Sequence, residues 1–515
     1  MDKSRSQYTA KNILFGYVGN IVTAILGFVL RTVFIYKLGK TLLGVNGLYT
    51  SILTVLSLAD LGLGTAMNYI LYELVSKKDI PKIKVYMEFY KKAYRVIALV
   101  VAVIGISLIP FLQYIIKDPG DITLGKLRLY YVIFLFNIVS SYFVAYKYSL
   151  TNAEQKNYIQ TNVITLTKLA TVTIQIVVLL LGAGFTTFLL VQLVVETVQK
   201  VFVSIYLDKL YPYLREKVDD SLSDIEKKSI VKSVKALLMH KLGDMARLQT
   251  DNIIISAFIS IGVVGMVDNY VLVVTSISAF VNIIFNSVIS SLGNLVATES
   301  KEKQYQVFKT YRFLAAWIYG FSAVGYYVLL TPLVTMLWGA DFALTAGVVG
   351  LYLVEYYFKG YRIVLSNFKT AAGVFEEDKY VPLIQGAVNL VISIVLVQKL
   401  GLVGIYWGTV ISGLIANFIK PYIIYKKCFG ISIKEYYQDS AKYMTVTGGI
   451  LAIVLLATKV ISVESWLQFA LMVVIITVVY NGIFLAIFHR KEECTVVLEK
   501  VKQLLVSIKK KASTK

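Results

Sequence analysis

LLGVNGLY, at residues 42–49, returns 221 positions later as VVGMVDNY, at residues 263–270, so that Gly44 meets Gly265 and Tyr49 meets Tyr270. The same offset lays Tyr90 and Lys91 on Tyr311 and Arg312. With one residue inserted, Lys147 meets Lys369 and Tyr158 meets Tyr380. In a chain of 515 residues this leaves room for two copies and a C-terminal remainder. Hydropathy says what each copy contains.

The chain is 57% hydrophobic and only 16% charged, against about 25% charged in an ordinary soluble domain. The apolar residues come in blocks of roughly 18 to 30, long enough to cross a bilayer core as helices. Such continuous runs lack the short alternation of a membrane β-barrel. Fourteen spans are expected, at 12–36, 45–73, 94–116, 127–148, 158–181, 185–207, 232–260, 266–296, 312–337, 344–368, 380–398, 402–425, 441–460 and 466–488. The first is too long for a signal-peptide core and has no evident small-residue cleavage site, so it reads as a retained helix. Spans one to six match seven to twelve in the same orientation. Parallel repeats of this kind are a transporter design with the substrate site between the halves. The expected fold is an all-α polytopic membrane protein. It has six-helix bundles at 1–207 and 232–430, a cytoplasmic linker at 208–231, two further helices within 431–490 and a basic tail at 491–515.

Lysine and arginine set the orientation. One set of loops holds Lys77, Lys78, Lys82, Lys84, Lys91 and Lys92, then Lys209, Arg215, Lys217, Lys227 and Lys228, and later Lys301, Lys303, Lys309, Lys426, Lys427 and Lys434; the opposite loops are nearly bare. Both termini are therefore expected in the cytoplasm. The net charge of +21 fits helix ends held at an anionic lipid surface. It does not suggest nucleic acid, because no soluble domain concentrates it. Cys428 and Cys494 fall in segments read as cytoplasmic, so no disulfide is implied. Two histidines and two cysteines offer no metal cluster, and no P-loop is present. The external loops are too short for a polymerase or glycosyltransferase site. The reading is a transporter, not an enzyme.

Charges inside the spans point to its cargo. HKLGDMARLQTDNIII, residues 240–255, lies in span seven and puts Asp244, Arg247 and Asp251 on one helix face. Each such charge costs about 2.5–3.5 kcal/mol at the bilayer centre unless it faces away from lipid. Span ten repeats the pattern with Glu355, Lys359 and Arg362; Arg31, Asp60, Lys168 and Glu196 lie in spans one, two, five and six. A water-filled cavity between two bundles would accommodate them all. The structural readings are an intrahelical pair for Arg247, an interhelical Lys168–Glu196 pair and a Glu355–Lys359 pair. Glu73, Arg95, Lys200 and Arg312, nearer the cytoplasmic interface, read as snorkelling. Arg31 has no acid within a helical turn, and Asp60 on the next span is its candidate partner. Guanidinium groups suit a pyrophosphate because they bind it in a bidentate way.

The stretch NILFGYVGNIVTAILGFVLRTVFIYKLGKTLLGVNGLYTSILTVLSLADLGLGTAMNYILYELV, with its late arginine, Leu-Gly loop and DLGLG turn at 60–64, resembles the Wzx-type polysaccharide flippases. These belong to the multidrug/oligosaccharidyl-lipid/polysaccharide exporter superfamily. The likeness covers residues 1 to about 430, and two extra helices occur in some relatives, including the lipid II flippases. It implies a V-shaped alternating-access transporter in the bacterial cytoplasmic membrane. Its cargo would be undecaprenyl-pyrophosphate-linked oligosaccharide, moved to the outer leaflet for capsule or exopolysaccharide synthesis, beside a polysaccharide polymerase and other assembly proteins. By position, Arg31 and Arg247 would take the pyrophosphate, with Lys168, Lys359 and Arg362 in support. Asp60, Asp244, Asp251, Glu355 and Glu196 would orient those groups or carry a coupling ion, H+ or Na+; no other cofactor is implied. A lipid II or teichoic-acid-precursor flippase, or a cation-coupled multidrug exporter of the same superfamily, is the alternative. Basic residues at least match acids within the spans, which favours an anionic cargo.

Overall fold

The computed structural model describes residues 2–57, 63–218, 220–374, 377–459 and 461–513. The chain clusters into two compact units, Met1–Asp268 and Asn269–Lys515. The first holds α1 (Asp2–Leu56), α2 (Leu63–Lys77), α3 (Ile80–Leu108), the one-turn α4 (Leu112–Ile115), α5 (Leu124–Ala145), α6 (Tyr148–Ala153), α7 (Asn157–Leu180), α8 (Phe185–Leu210), α9 (Asp224–Leu248) and α10 (Thr250–Phe258). α11 (Ile261–Asn286) leads into the second unit. There follow α12 (Ile289–Thr298), α13 (Lys301–Trp338), α14 (Ala346–Tyr361), α15 (Ile363–Ala372), α16 (Val381–Leu400), α17 (Leu402–Ile424), α18 (Lys434–Thr458), α19 (Trp466–Phe488) and α20 (Glu492–Ser513). No strand occurs among the described residues. The protein is all-α, as its hydropathy requires.

Eleven helical stretches among the described residues are long and apolar enough to cross a membrane. Three expected crossings fall outside that set. Span two runs from α1 to α2 through 58–62, which lie outside the described residues and include Asp60. Span seven breaks at Gln249 between α9 and α10, and span ten breaks at Arg362 between α14 and α15. These same three segments carry Asp60, the Asp244–Arg247–Asp251 group and the Glu355–Lys359–Arg362 group. Fourteen crossings are compatible with this pattern. α1 itself joins two crossings through a bend at Gly39, whose φ of 77° is a backbone conformation that glycine adopts without steric cost.

Lipid replaces water as the solvent for these helices, and α3 shows the result. Tyr86, Tyr90, Tyr94, Ala98 and Val101 are buried, while Val96, Leu99, Val103 and Ile106 are exposed. Aliphatic residues outside and tyrosines inside reverse the soluble pattern, since hydrocarbon gains nothing from expelling leucine. Many tyrosines therefore pack the interior instead of forming an interfacial belt. Tyr49, Tyr90, Tyr131, Tyr270, Tyr425, Tyr443 and Tyr480 are among the largest fully buried side chains.

Within the first unit, the second half of α1 crosses the start of α11 at the two glycines that the repeat equates. A Cβ on Gly44 would fall 1.8 Å from the Ile261 carbonyl oxygen, and one on Gly265 would fall 2.5 Å from the Lys40 carbonyl oxygen. No side chain fits there. The glycines recur because the two backbones touch at related positions. The repeat-related tyrosines also act alike. Tyr49 donates to the Leu127 carbonyl at 2.8 Å just inside α5, and Tyr270 accepts from the Leu344 amide at 2.9 Å just before α14.

Candidate functional site

The first unit gathers polar groups around the α1–α11 crossing. The α10–α11 turn is pinned by the segment after α4: Lys117 N–H donates to the Ser256 carbonyl at 3.1 Å, and Ile261 N–H donates to the Lys117 carbonyl at 3.0 Å. Ser256 Oγ donates to the Ile115 carbonyl at 2.7 Å. Two turns further on, α11 presents Asp268. Its Oδ1 accepts from Asn252 Nδ2 of α10 at 3.2 Å, and the same amide donates to Ser51 Oγ of α1 at 3.0 Å. Oδ2 lies against Gly47, where a Cβ would be only 1.8 Å away.

Arg31, on the other side of the Gly39 bend, is the charged neighbour of Asp268. The two form no ion pair within 4 Å, and Arg31 Nη1 is buried with no hydrogen-bond partner among the described residues. Leaving such a group unsatisfied costs about 1–3 kcal/mol, and more for a charged one. Asp60, the candidate partner on span two, lies outside the described residues. The carboxylate that the structure shows near Arg31 is Asp268 of α11, a residue visible in the repeated octapeptide but overshadowed by its matching glycine and tyrosine.

The second unit treats its arginines differently. Arg362 donates to Glu355 Oε1 at 3.3 Å, to the Gly413 carbonyl at 3.1 Å and to Asn417 Oδ1, tying the α14–α15 break to α17. Glu355 and Arg362 are buried, while Lys359, on the same helix, is exposed. Arg312 does not snorkel. It is only 1% exposed, donates to Asp439 Oδ2 and to Tyr425 Oη at 3.0 Å, and lies 5.2 Å from the Tyr436 ring centre. Lys491 donates to the other oxygen of Asp439 at 2.8 Å. This hub joins α13, α18 and the start of α20.

The remaining candidates are dispersed. Lys168 is exposed on α7 and makes no ion pair among the described residues; Glu196 of α8 instead accepts from Asn137 at 2.6 Å and Gln192 at 2.9 Å. The expected Lys168–Glu196 pair is not formed. Lys200 reaches Asn137 and Ser140 Oγ of α5 and so is bonded, not snorkelling. Asp251 is half-buried on α10. Asp244 and Arg247 lie on α9, and their side chains fall outside the described residues.

No family model matches the chain, and no curated protein matches its sequence. Solved structures do. The lipid II flippase MurJ in an inward closed conformation has a TM-score of 0.65 at 16% identity, covering 93% of this chain and 99% of its own. The chain shares the fold of this flippase. An inward-facing MATE multidrug resistance transporter of the MOP superfamily has a TM-score of 0.60 at 16% identity, covering 77% of this chain and 92% of its own. The MATE multidrug transporter DinF-BH has a TM-score of 0.57 at 16% identity over 83% of this chain and 97% of its own. The match to MurJ thus runs almost end to end in both chains, whereas these two MATE structures leave a larger part of this chain unmatched.

Proposed function

We propose that the protein is a flippase that moves undecaprenyl-pyrophosphate-linked oligosaccharide units from the inner to the outer leaflet of the bacterial cytoplasmic membrane, for capsule or exopolysaccharide synthesis. The observation that carries this reading is the near end-to-end match to the lipid II flippase, 93% of one chain and 99% of the other. The under-bonded guanidinium of Arg31 supports it chemically. A pyrophosphate offers several charged acceptors, and a charge-assisted bond to one of them would satisfy Nη1. Asp268 would hold Arg31 in register while the site is empty and release it to the stronger ligand. Arg247, Lys168 and Lys359 would add positive charge along the path, while Arg362, bonded to Glu355, Gly413 and Asn417, would hold the α14–α15 break. The acids would orient them or couple transport to H+ or Na+. Alternating access between bundles at 1–207 and 232–430, with both termini cytoplasmic, completes the proposal. Lipid II and teichoic-acid precursors carry the same polyprenyl chain and remain within it.

The second reading is a multidrug exporter, favoured by the DinF-BH likeness. The two separate in proteoliposomes given either a fluorescent polyprenyl-pyrophosphate oligosaccharide or a cationic dye. Translocation of the lipid, lost by about tenfold or more in Arg31→Ala as a charge-assisted bond of roughly 1.5–3 kcal/mol implies, is the expected result. Transport of the dye alone would overturn the flippase reading.

A further inference from the structure

Three residues separate the end of the membrane helix α19 at Phe488 from the start of α20 at Glu492. Its first turns are fixed. Lys491 is bonded to Asp439, Glu493 lies 3.9 Å from Lys309 of α13, and Cys494 and Val497 are buried in the core of the second unit. Past that point the same helix face leaves the protein. Leu498 is 42% exposed and Val501 45%.

The spacing Cys494, Val497, Leu498, Val501 keeps apolar residues on one stripe of the helix. Lysines border that stripe on both sides, Lys500 along one edge and Lys502 along the other. From 498 to 511 the sequence holds five lysines and one acid, Glu499. A helix of 22 residues is about 33 Å long, and its charges keep it out of the hydrocarbon core. An apolar stripe edged by lysines, launched from the end of a membrane span, is the physical signature of a helix lying in a bilayer interface.

We propose that α20 is an interfacial anchor whose apolar stripe enters the acyl boundary while Lys500 and Lys502 bind anionic lipid head groups. The charge complementarity chooses this occupant: a second protein helix would need acids where the lysines stand. The anchor holds the Arg312–Asp439–Lys491 hub at a fixed depth, because Lys491 is its first link to the core.

Both native cysteines are buried, and burial pushes the Cys494 thiol above its ordinary pKa, so introduced cysteines can be spin-labelled selectively. The full chain would carry Val501→Cys or Gln503→Cys, reconstituted in phosphatidylcholine vesicles with or without phosphatidylglycerol. Collisions with oxygen report acyl depth, and collisions with a water-soluble nickel chelate report solvent. The expected result is that phosphatidylglycerol cuts nickel access several-fold at 501 but not at 503, and that adding Lys500→Glu and Lys502→Glu abolishes the effect. Equal nickel access at 501 and 503 in both lipids overturns the proposal. So does protection at 501 that ignores lipid charge, with spin–spin broadening marking a second copy and its absence marking packing within the chain.

Discussion

Arg312 and Arg31 are both guanidinium groups set among membrane helices, yet one is held and the other is not. Arg312 is almost wholly buried, with a carboxylate and a phenol on its two terminal nitrogens and an aromatic face beside it; only its Nε has no acceptor among the described residues. Arg31 has a carboxylate nearby but outside ion-pair distance, and a buried nitrogen with no acceptor among the described residues. A charge that exists only to hold helices together is expected to find its partners in the folded chain. One whose terminal nitrogen has no acceptor and whose carboxylate neighbour stands outside ion-pair distance is, under the proposed function, the candidate to meet the cargo. The difference in bonding, not intramembrane position, is what the experiments below can test.

The largest effect should come from the held group. Asp439 is 6% exposed and accepts from both Arg312 and Lys491, so Asp439→Ala leaves two cations without their shared partner. Breaking a buried pair in this way costs about 3–5 kcal/mol. A marked drop in the melting temperature in detergent is the expected outcome, while Arg31→Ala should melt as the wild type does or slightly higher. If the two variants lose equal stability, the distinction between them fails.

A smaller effect sharpens the other side. Gly47→Ala drives a methyl group into the Asp268 carboxylate, which Asn252 holds in place. Overpacking of this kind costs about 1–3 kcal/mol. Because the clash is with one side chain, Gly47→Ala combined with Asp268→Ala should melt higher than the two single losses added together. Strict additivity would mean that the carboxylate does not sit against Gly47.

The repeat was legible in sequence because a backbone crossing tolerates only glycine, and Gly44 and Gly265 mark it twice. The inside and outside of the helices were legible because hydropathy reports solvent. Asp268 was not, since its counterpart in the repeat is Gly47 and the eye follows what matches. The charge sits at the position where the two copies differ, and the missing side chain in one copy makes room for the carboxylate of the other. The burial of Arg312 was hidden for another reason. Its partner lies 127 residues away on α18, and nearness to a span end says nothing about a helix that packs over it. The breaks at Gln249 and Arg362 escaped because neither is a proline or a glycine.

The smallest effect sets the scale for a charge in water. α9 starts with a capping box: Glu226 N–H donates to Ser223 Oγ at 3.3 Å, while Ser223 N–H donates to Glu226 Oε2 at 2.8 Å. The hydrogen bonds from Ser223, ahead of one from Tyr86, hold the Glu226 carboxyl below its ordinary value of 4.5. A depressed carboxylate favours the folded cap at any pH above that ordinary value, and its contribution fades as pH falls through the lower folded value. Hydrogen exchange at the amides of the first α9 turn, corrected for intrinsic rates, should therefore quicken on acidification below about pH 4.5. Ser223→Ala should quicken it at neutral pH, by the factor that a cap of about 0.5–2 kcal/mol implies. Global melting should scarcely move in either case, unlike in Asp439→Ala, because an exposed charge that loses its partner recovers water and a buried one does not. A melting shift in Ser223→Ala as large as in Asp439→Ala would mean that the start of α9 belongs to the cooperative core, and burial would then no longer explain the ranking.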